Sequence, residues 1–351
     1  MGIIAKQSIQ GTIVTYLGVA VGFVTTFFVL TRFLSAEEIG LARVLIDAAT
    51  LFIGLAQLGT SSSIIRFYPH FSESKAAHQD WHGQLASSNV SQTKEEHGFF
   101  FWTIIIPLIG FALFTAIYCA CYTPLSKWFG EKSPLFVEYY YMVLPMAFFM
   151  LYQTIFETNA NVRMHIVVPR AVRELITRIG LLIVYLLYAF ECLDINGYVI
   201  ALCVVYAVAM LCNMGYLFSL GEISLRPDMQ FLRQNRSLIR QYVLYTGFLL
   251  ISAVASVLAP TLSSFFITAE MGLSFTGIFA IATYIAVMVS IPYRSMTAIA
   301  SPQLATAIKE NNQHETAHLM QQVSSTLLLI GGMILCVIWI NIDLIFHILP
   351  N

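Results

Sequence analysis

Nine stretches of about 20 predominantly apolar residues, near 9–31, 44–65, 99–121, 139–159, 172–190, 197–219, 242–267, 274–296 and 323–347, leave this chain few ways to fold. A backbone inside lipid finds no water to bond, so only helices and closed barrels cross. Barrel strands need about half this length, which makes every stretch a helix and the chain an all-α integral membrane protein. Charged residues amount to 11%, against roughly 25% in an ordinary soluble domain. The net charge of -1 leaves no basic face to displace counterions, which argues against a nucleic-acid partner.

Positive charge sets the orientation. With the N-terminus inside, fourteen Lys and Arg fall on the cytoplasmic side and four, Arg32, Arg43, Lys127 and Lys132, on the other. The first apolar run lacks a small-x-small cleavage site and exceeds a signal-peptide core, so it is a retained span. The six cysteines sit in or beside apolar runs with no C-x-x-C pair, as small apolar helix residues do. His78 and His82 could share a helix face as metal ligands, but no third ligand has suitable spacing, and the polar segment 70–98 reads as a solvated loop.

An internal repeat organises the runs. Thr31-Arg-Phe-Leu-Ser-Ala-Glu-Glu-Ile-Gly-Leu41 returns as Ser264-Phe-Phe-Ile-Thr-Ala-Glu-Met-Gly-Leu273, with Gly272 matched to Gly40 at an offset of 232 residues. Six spans separate the copies, so the halves run in the same direction about an axis along the membrane normal. The expected division is a six-helix bundle over 1–220, a cytoplasmic linker over 221–241 whose arginines sit at anionic headgroups, and three helices of a second bundle over 242–351. If the halves are equal, roughly 110–130 further residues are expected after the third of these.

Polar residues within spans are costly and face a bundle interior or a wet cavity. Gly11, Thr15, Gly18, Gly22 and Thr25 share one face of the first span, as close helix packing requires. Asp47, Thr50, Gly54, Gln57 and Ser61 share a face of the second, where packing and a cavity both remain open readings. Thr276, Ala280, Thr283, Val287, Ser290 and Arg294 line the eighth. In the fourth, Glu157 either exchanges protons or reaches the interface. In the fifth, Arg170, Glu174 and Arg178 stand at i, i+4 and i+8, a favourable order for a helix ion pair. Arg173 points about 100° away from its neighbours, so part of the cluster must face protein. Guanidinium forks at the mouth of a cavity suit a phosphate, because each bonds two oxygens at once. No phosphate loop, H-E-x-x-H, G-x-S-x-G or acidic pair for a metal-bound nucleotide sugar is present, so nothing points to enzyme chemistry or a cofactor.

Leu34-Ser-Ala-Glu-Glu-Ile-Gly40, the run to Arg66-Phe-Tyr-Pro69, Ile291-Pro-Tyr-Arg294, Ser301-Pro302, Asn341-Ile-Asp-Leu-Ile-Phe346 and Leu349-Pro-Asn351 together resemble the polysaccharide or O-antigen flippases of the multidrug/oligosaccharidyl-lipid/polysaccharide exporter superfamily. The resemblance implies a MATE-like transporter fold of two bundles around a cationic cavity. It also implies alternating-access transport of an undecaprenyl-pyrophosphate-linked oligosaccharide across the bacterial inner membrane for surface polysaccharide or lipopolysaccharide assembly. Arg66, Arg173, Arg178 and Arg294, with Gln57, are then the expected substrate contacts, and Asp47 and Glu157 the polar or coupling residues for H+ or Na+. Where many relatives carry an acidic residue in the seventh span, this chain has Ala259-Pro-Thr-Leu-Ser263, which weakens ion coupling there. A cation-coupled multidrug exporter should instead show an acidic, aromatic cavity, and a membrane-embedded glycan transferase or ligase should cluster catalytic polar residues in an outer loop.

Overall fold

A computed structural model describes residues 3–71, 98–163, 165–221, 236–290 and 313–343, with 293, 296, 300 and 304. The His78/His82 pair, Arg294 and most of the 221–241 linker lie outside these residues. The elements are α1 (Ile3–Val24, continued by the π-helical turn Thr25–Leu30 and by Thr31–Phe33), α2 (Ala36–Ala56), α3 (Thr60–Phe71), α4 (Phe99–Ala120), α5 (Tyr122–Gly130) and α6 (Pro134–Glu138). They continue with α7 (Val143–Val162), α8 (Val167–Ala171, the π-helical turn Val172–Ile176, then Thr177–Ala189), α9 (Ile195–Ser219), α10 (Arg236–Glu270), α11 (Leu273–Val289) and α12 (Gln313–Ile340).

All nine apolar runs are mainly helical where described, and no strand occurs among the described residues. Five helices are apolar and long enough to cross a bilayer on composition alone: Ile13–Phe33, Ala36–Ala56, Phe99–Ala120, Ile195–Ser219 and Gln313–Ile340. α7 and α8 carry Gln153, Glu157, Arg173, Glu174 and Arg178, which lower their hydropathy.

The second apolar run departs from its expected span in two ways. Its helix begins at Ala36, eight residues before 44, because Ser35 caps it: the Ser35 N–H donates to Glu38 Oε2 at 2.8 Å and the Glu38 N–H to Ser35 Oγ at 3.3 Å. The helix also stops at Ala56. Leu58 (φ 49°) and Gly59 (φ 71°) turn left-handed, and the Thr60 N–H donates to the Gln57 carbonyl at 2.8 Å before α3 starts. The expected stripe from Asp47 to Ser61 therefore lies on two helices.

α2 is the central rod. Two thirds of its apolar window is buried, 67%, whereas α12 has none, and it packs against α4, α7, α10 and α11. Leu41, Val44, Leu45, Ala49 and Ala56 are sealed within the core. Where α2 crosses α11 the two backbones touch. A Cβ added at Gly40 would run into the Leu273 carbonyl oxygen, and one added at Gly277 into the Ala36 carbonyl oxygen. This reciprocity corrects the register of the repeat. Gly40 and Gly277 are each the fifth residue of their helices, whereas Gly272 (φ 99°) is a left-handed turn beside the Lys132 carbonyl. The turn signature and the helix contact therefore fall at different offsets, 232 residues for Gly40 to Gly272 and 237 for Gly40 to Gly277.

The early helices meet α10 along its length. Ser133 Oγ donates to the Thr268 carbonyl at 2.6 Å and Trp128 Nε1 to Glu270 at 3.2 Å near the connectors. The Gly54 Cα faces Val257, and Ser63 and Thr246 share a hydrogen bond of 2.6 Å towards the far end. There Phe67 packs edge-on against Tyr242 and Tyr245.

Candidate functional site

The small-residue stripe of α1 and the charged face of α8 fit each other. A Cβ at Gly11 would lie 2.9 Å from Arg170 Nη1, one at Gly18 2.6 Å from the Glu174 carbonyl oxygen, and one at Gly22 2.6 Å from Arg178 Nη1. The glycines clear a lane in which the Arg170-Glu174-Arg178 ladder lies, so the packing stripe and the ion-pair face are two sides of one contact. Within the lane Arg178 Nη1 donates to the Gly18 carbonyl at 2.9 Å, and Nη2 lies 2.9 Å from Glu174 Oε2.

Arg173 leaves this face. The π-helical turn inserts an extra residue into α8, closed by the Thr177 N–H donating to the Val172 carbonyl, which also accepts from Thr177 Oγ1 at 3.2 Å. Arg173 thereby reaches back to α7, with Nη1 2.8 Å from Glu157 Oε1 and Nε 3.4 Å from Glu174 Oε1. Glu157 is buried while the Arg173 side chain is half exposed, so one end of the pair faces protein and the other is open. Behind the turn, Gln153 Nε2 donates to Thr177 Oγ1 and Asn213 Nδ2 to the Gln153 carbonyl, both at 3.4 Å.

A cavity of about 360 Å³ opens where α1, α2 and α8 meet α11. Its charged lining residues are Arg43, Asp47 and Arg178, joined by Thr25, Tyr185 and Tyr284. The Tyr284 hydroxyl and Arg178 Nη1 both occupy the niche left by Gly22. Arg43 Nε donates to Asp47 Oδ2 at 2.7 Å.

Asp47 and Arg178 thus come together on one cavity, and Arg173 and Glu157 adjoin it through Glu174. Arg66 stands elsewhere. It is exposed, its guanidinium carbon 4.1 Å from the Tyr245 ring centroid on α10, a cation–π contact between early and late helices. Gln57 sits at the α2–α3 break, where its Oε1 accepts from Ser61 Oγ at 3.1 Å. Neither lines the cavity, and Arg294 lies outside the described residues.

Two cations were misplaced or passed over in the sequence. Arg43, expected on the outer side beyond the second span, belongs to α2 itself, since the capping box starts that helix earlier. The S-x-x-E signal and the i, i+4 spacing to Asp47 would have found it. Arg163 closes a buried cluster, its Nη1 donating to the Asn159 carbonyl at 2.7 Å with Tyr68 and Phe100 against its face.

The profile of the polysaccharide biosynthesis protein family matches residues 4–307. A solved structure, described as the inward-facing conformation of a multidrug resistance MATE family transporter of the MOP superfamily, superposes with a TM-score of 0.66 at 16% identity. The match covers 97% of this chain and 75% of that one, a likeness that carries the fold alone. No curated protein matches the sequence. With the family profile running through most of its length and its helices arranged as in a MATE transporter, the chain belongs to the polysaccharide biosynthesis protein family.

Proposed function

We propose that this protein moves an undecaprenyl-pyrophosphate-linked oligosaccharide from the cytoplasmic to the outer leaflet of the bacterial inner membrane, for surface polysaccharide assembly. The observation that carries the reading is the cavity between α1, α2, α8 and α11, whose charged lining is two guanidinium groups against one carboxylate. Such a lining favours an anionic substrate over the organic cations that an acidic cavity would select. Residues 1–220 and 242–351 act as the two halves, joined by 221–241 and rocking about the cavity by alternating access, with the N-terminus cytoplasmic. No bond is made or broken. Arg173 and Arg178 supply positive potential along the phosphate path, Arg66 and Gln57 border the route outside the cavity, and Arg294 is a further substrate contact on this reading. A coupling H+ or Na+ would have Asp47 and Glu157 as its carboxylates, each already paired with an arginine.

Deleting the gene should abolish surface glycan and accumulate its lipid-linked precursor, and the wild-type gene should restore export while R178A should not. Unchanged glycan with altered drug tolerance would instead support the multidrug reading suggested by the structural neighbour.

A further inference from the structure

Arg43 lies seven residues into α2, about 10 Å along the axis from its start. A guanidinium at such a depth is costly unless its donors are met. Asp47, one turn on, meets only one of them. The bond runs from Nε, on the edge of the group, to a carboxylate whose side chain is only 10% exposed. Both terminal nitrogens are left without a protein partner among the described residues, and the side chain is 29% exposed on the cavity. Arg178 differs. Its Nη1 is held by the Gly18 carbonyl and its Nη2 by Glu174, so its charge contributes potential but its fork is already occupied.

The Asp47 contact has a second consequence. A side-on pair fixes the plane of the guanidinium while leaving its outer edge free, which pre-orients two parallel N–H donors for the oxygens of a phosphate. Thr25, Tyr185 and Tyr284 supply hydroxyls around the same space.

We propose that Arg43 is the residue that grips the diphosphate of the lipid-linked substrate in this cavity, and that Asp47 is its positioning residue. The inference rests on the transport reading above and adds to it the group that recognises the substrate. It also separates two roles among the arginines. Arg43 makes the directional contact, and Arg178 is a structural cation shared between α1 and α8.

The test is binding of undecaprenyl pyrophosphate to the full chain in phosphatidylcholine nanodiscs, with undecaprenyl phosphate and phosphatidylglycerol as competitors. R43A should weaken binding by about tenfold or more, and R43K should recover only part, because an ammonium is a point charge and not a fork. D47N keeps an acceptor for Nε but loses the charge. It should reduce the preference for diphosphate over monophosphate, a change that a purely structural carboxylate would not produce. Binding by R43A or R43K equal to wild type would overturn the proposal and leave the transport reading standing. Equal displacement of the probe by phosphatidylglycerol would overturn it too, by showing a general lipid-phosphate site. No binding by the wild type would remove both.

Discussion

The absence of a side chain at Gly18 decides how closely α1 and α8 approach, because the atom an added Cβ would meet is a backbone carbonyl that cannot swing aside. Gly18→Ala is expected to cost about 1–3 kcal/mol, as overpacking does, and to lower the melting temperature of the purified protein. Gly215→Ala on α9 is the matched control. Nothing lies within 4 Å of its added Cβ, so the change should be neutral or stabilise by up to about 1 kcal/mol. If both variants melt alike, the lane is looser than described. Spacing revealed this glycine stripe, and it revealed the Arg170-Glu174-Arg178 face. That the two faces meet was not legible, since nothing local in either helix names its partner.

Helix boundaries explain most of the difference between sequence and structure. Glu37, Glu38 and Arg43 delay the rise in hydropathy, so hydropathy alone starts the second span at 44, although Ser35 and Glu38 already mark an N-terminus. Two of these charges are held by protein, since Tyr188 donates its hydroxyl to Glu38 and Asp47 holds Arg43, while Glu37 is exposed. The π-helical turn of α8 was equally hidden, as its register depends on Thr177 and on the Gln153–Asn213 support behind it. The turn sets a test for the pair it creates. Arg173→Gln leaves the Glu157 carboxylate buried without its main partner and should destabilise by about 1–3 kcal/mol, whereas Glu157→Gln removes the buried charge and should cost less. The double variant should recover most of the melting temperature lost in Arg173→Gln. A double variant no more stable than Arg173→Gln would show that the pair is not the cause.

For the whole molecule, the class, the helical runs and the family were legible because hydropathy and orientation are set by the bilayer, which acts on every residue alike. The seam between early and late helices was not, because its partners, such as Ser63 and Thr246, stand far apart in the sequence and nothing local pairs them. Those hydroxyls are close enough for cysteines there to join, so S63C/T246C in a background lacking the six native cysteines should form a disulfide on oxidation. If the halves must part at that end during transport, oxidation should stop glycan export and a reductant should restore it. Export unaffected by a fully formed crosslink would mean that this end stays shut throughout the cycle. The crossing of α2 and α11 makes a different demand. Most helix pairs mesh like gear teeth and move by jumping one notch. Here Gly40 and Gly277 present bare backbone to each other, so at that point no tooth has to leave a socket when one rod turns against the other, as at the rivet of a pair of scissors.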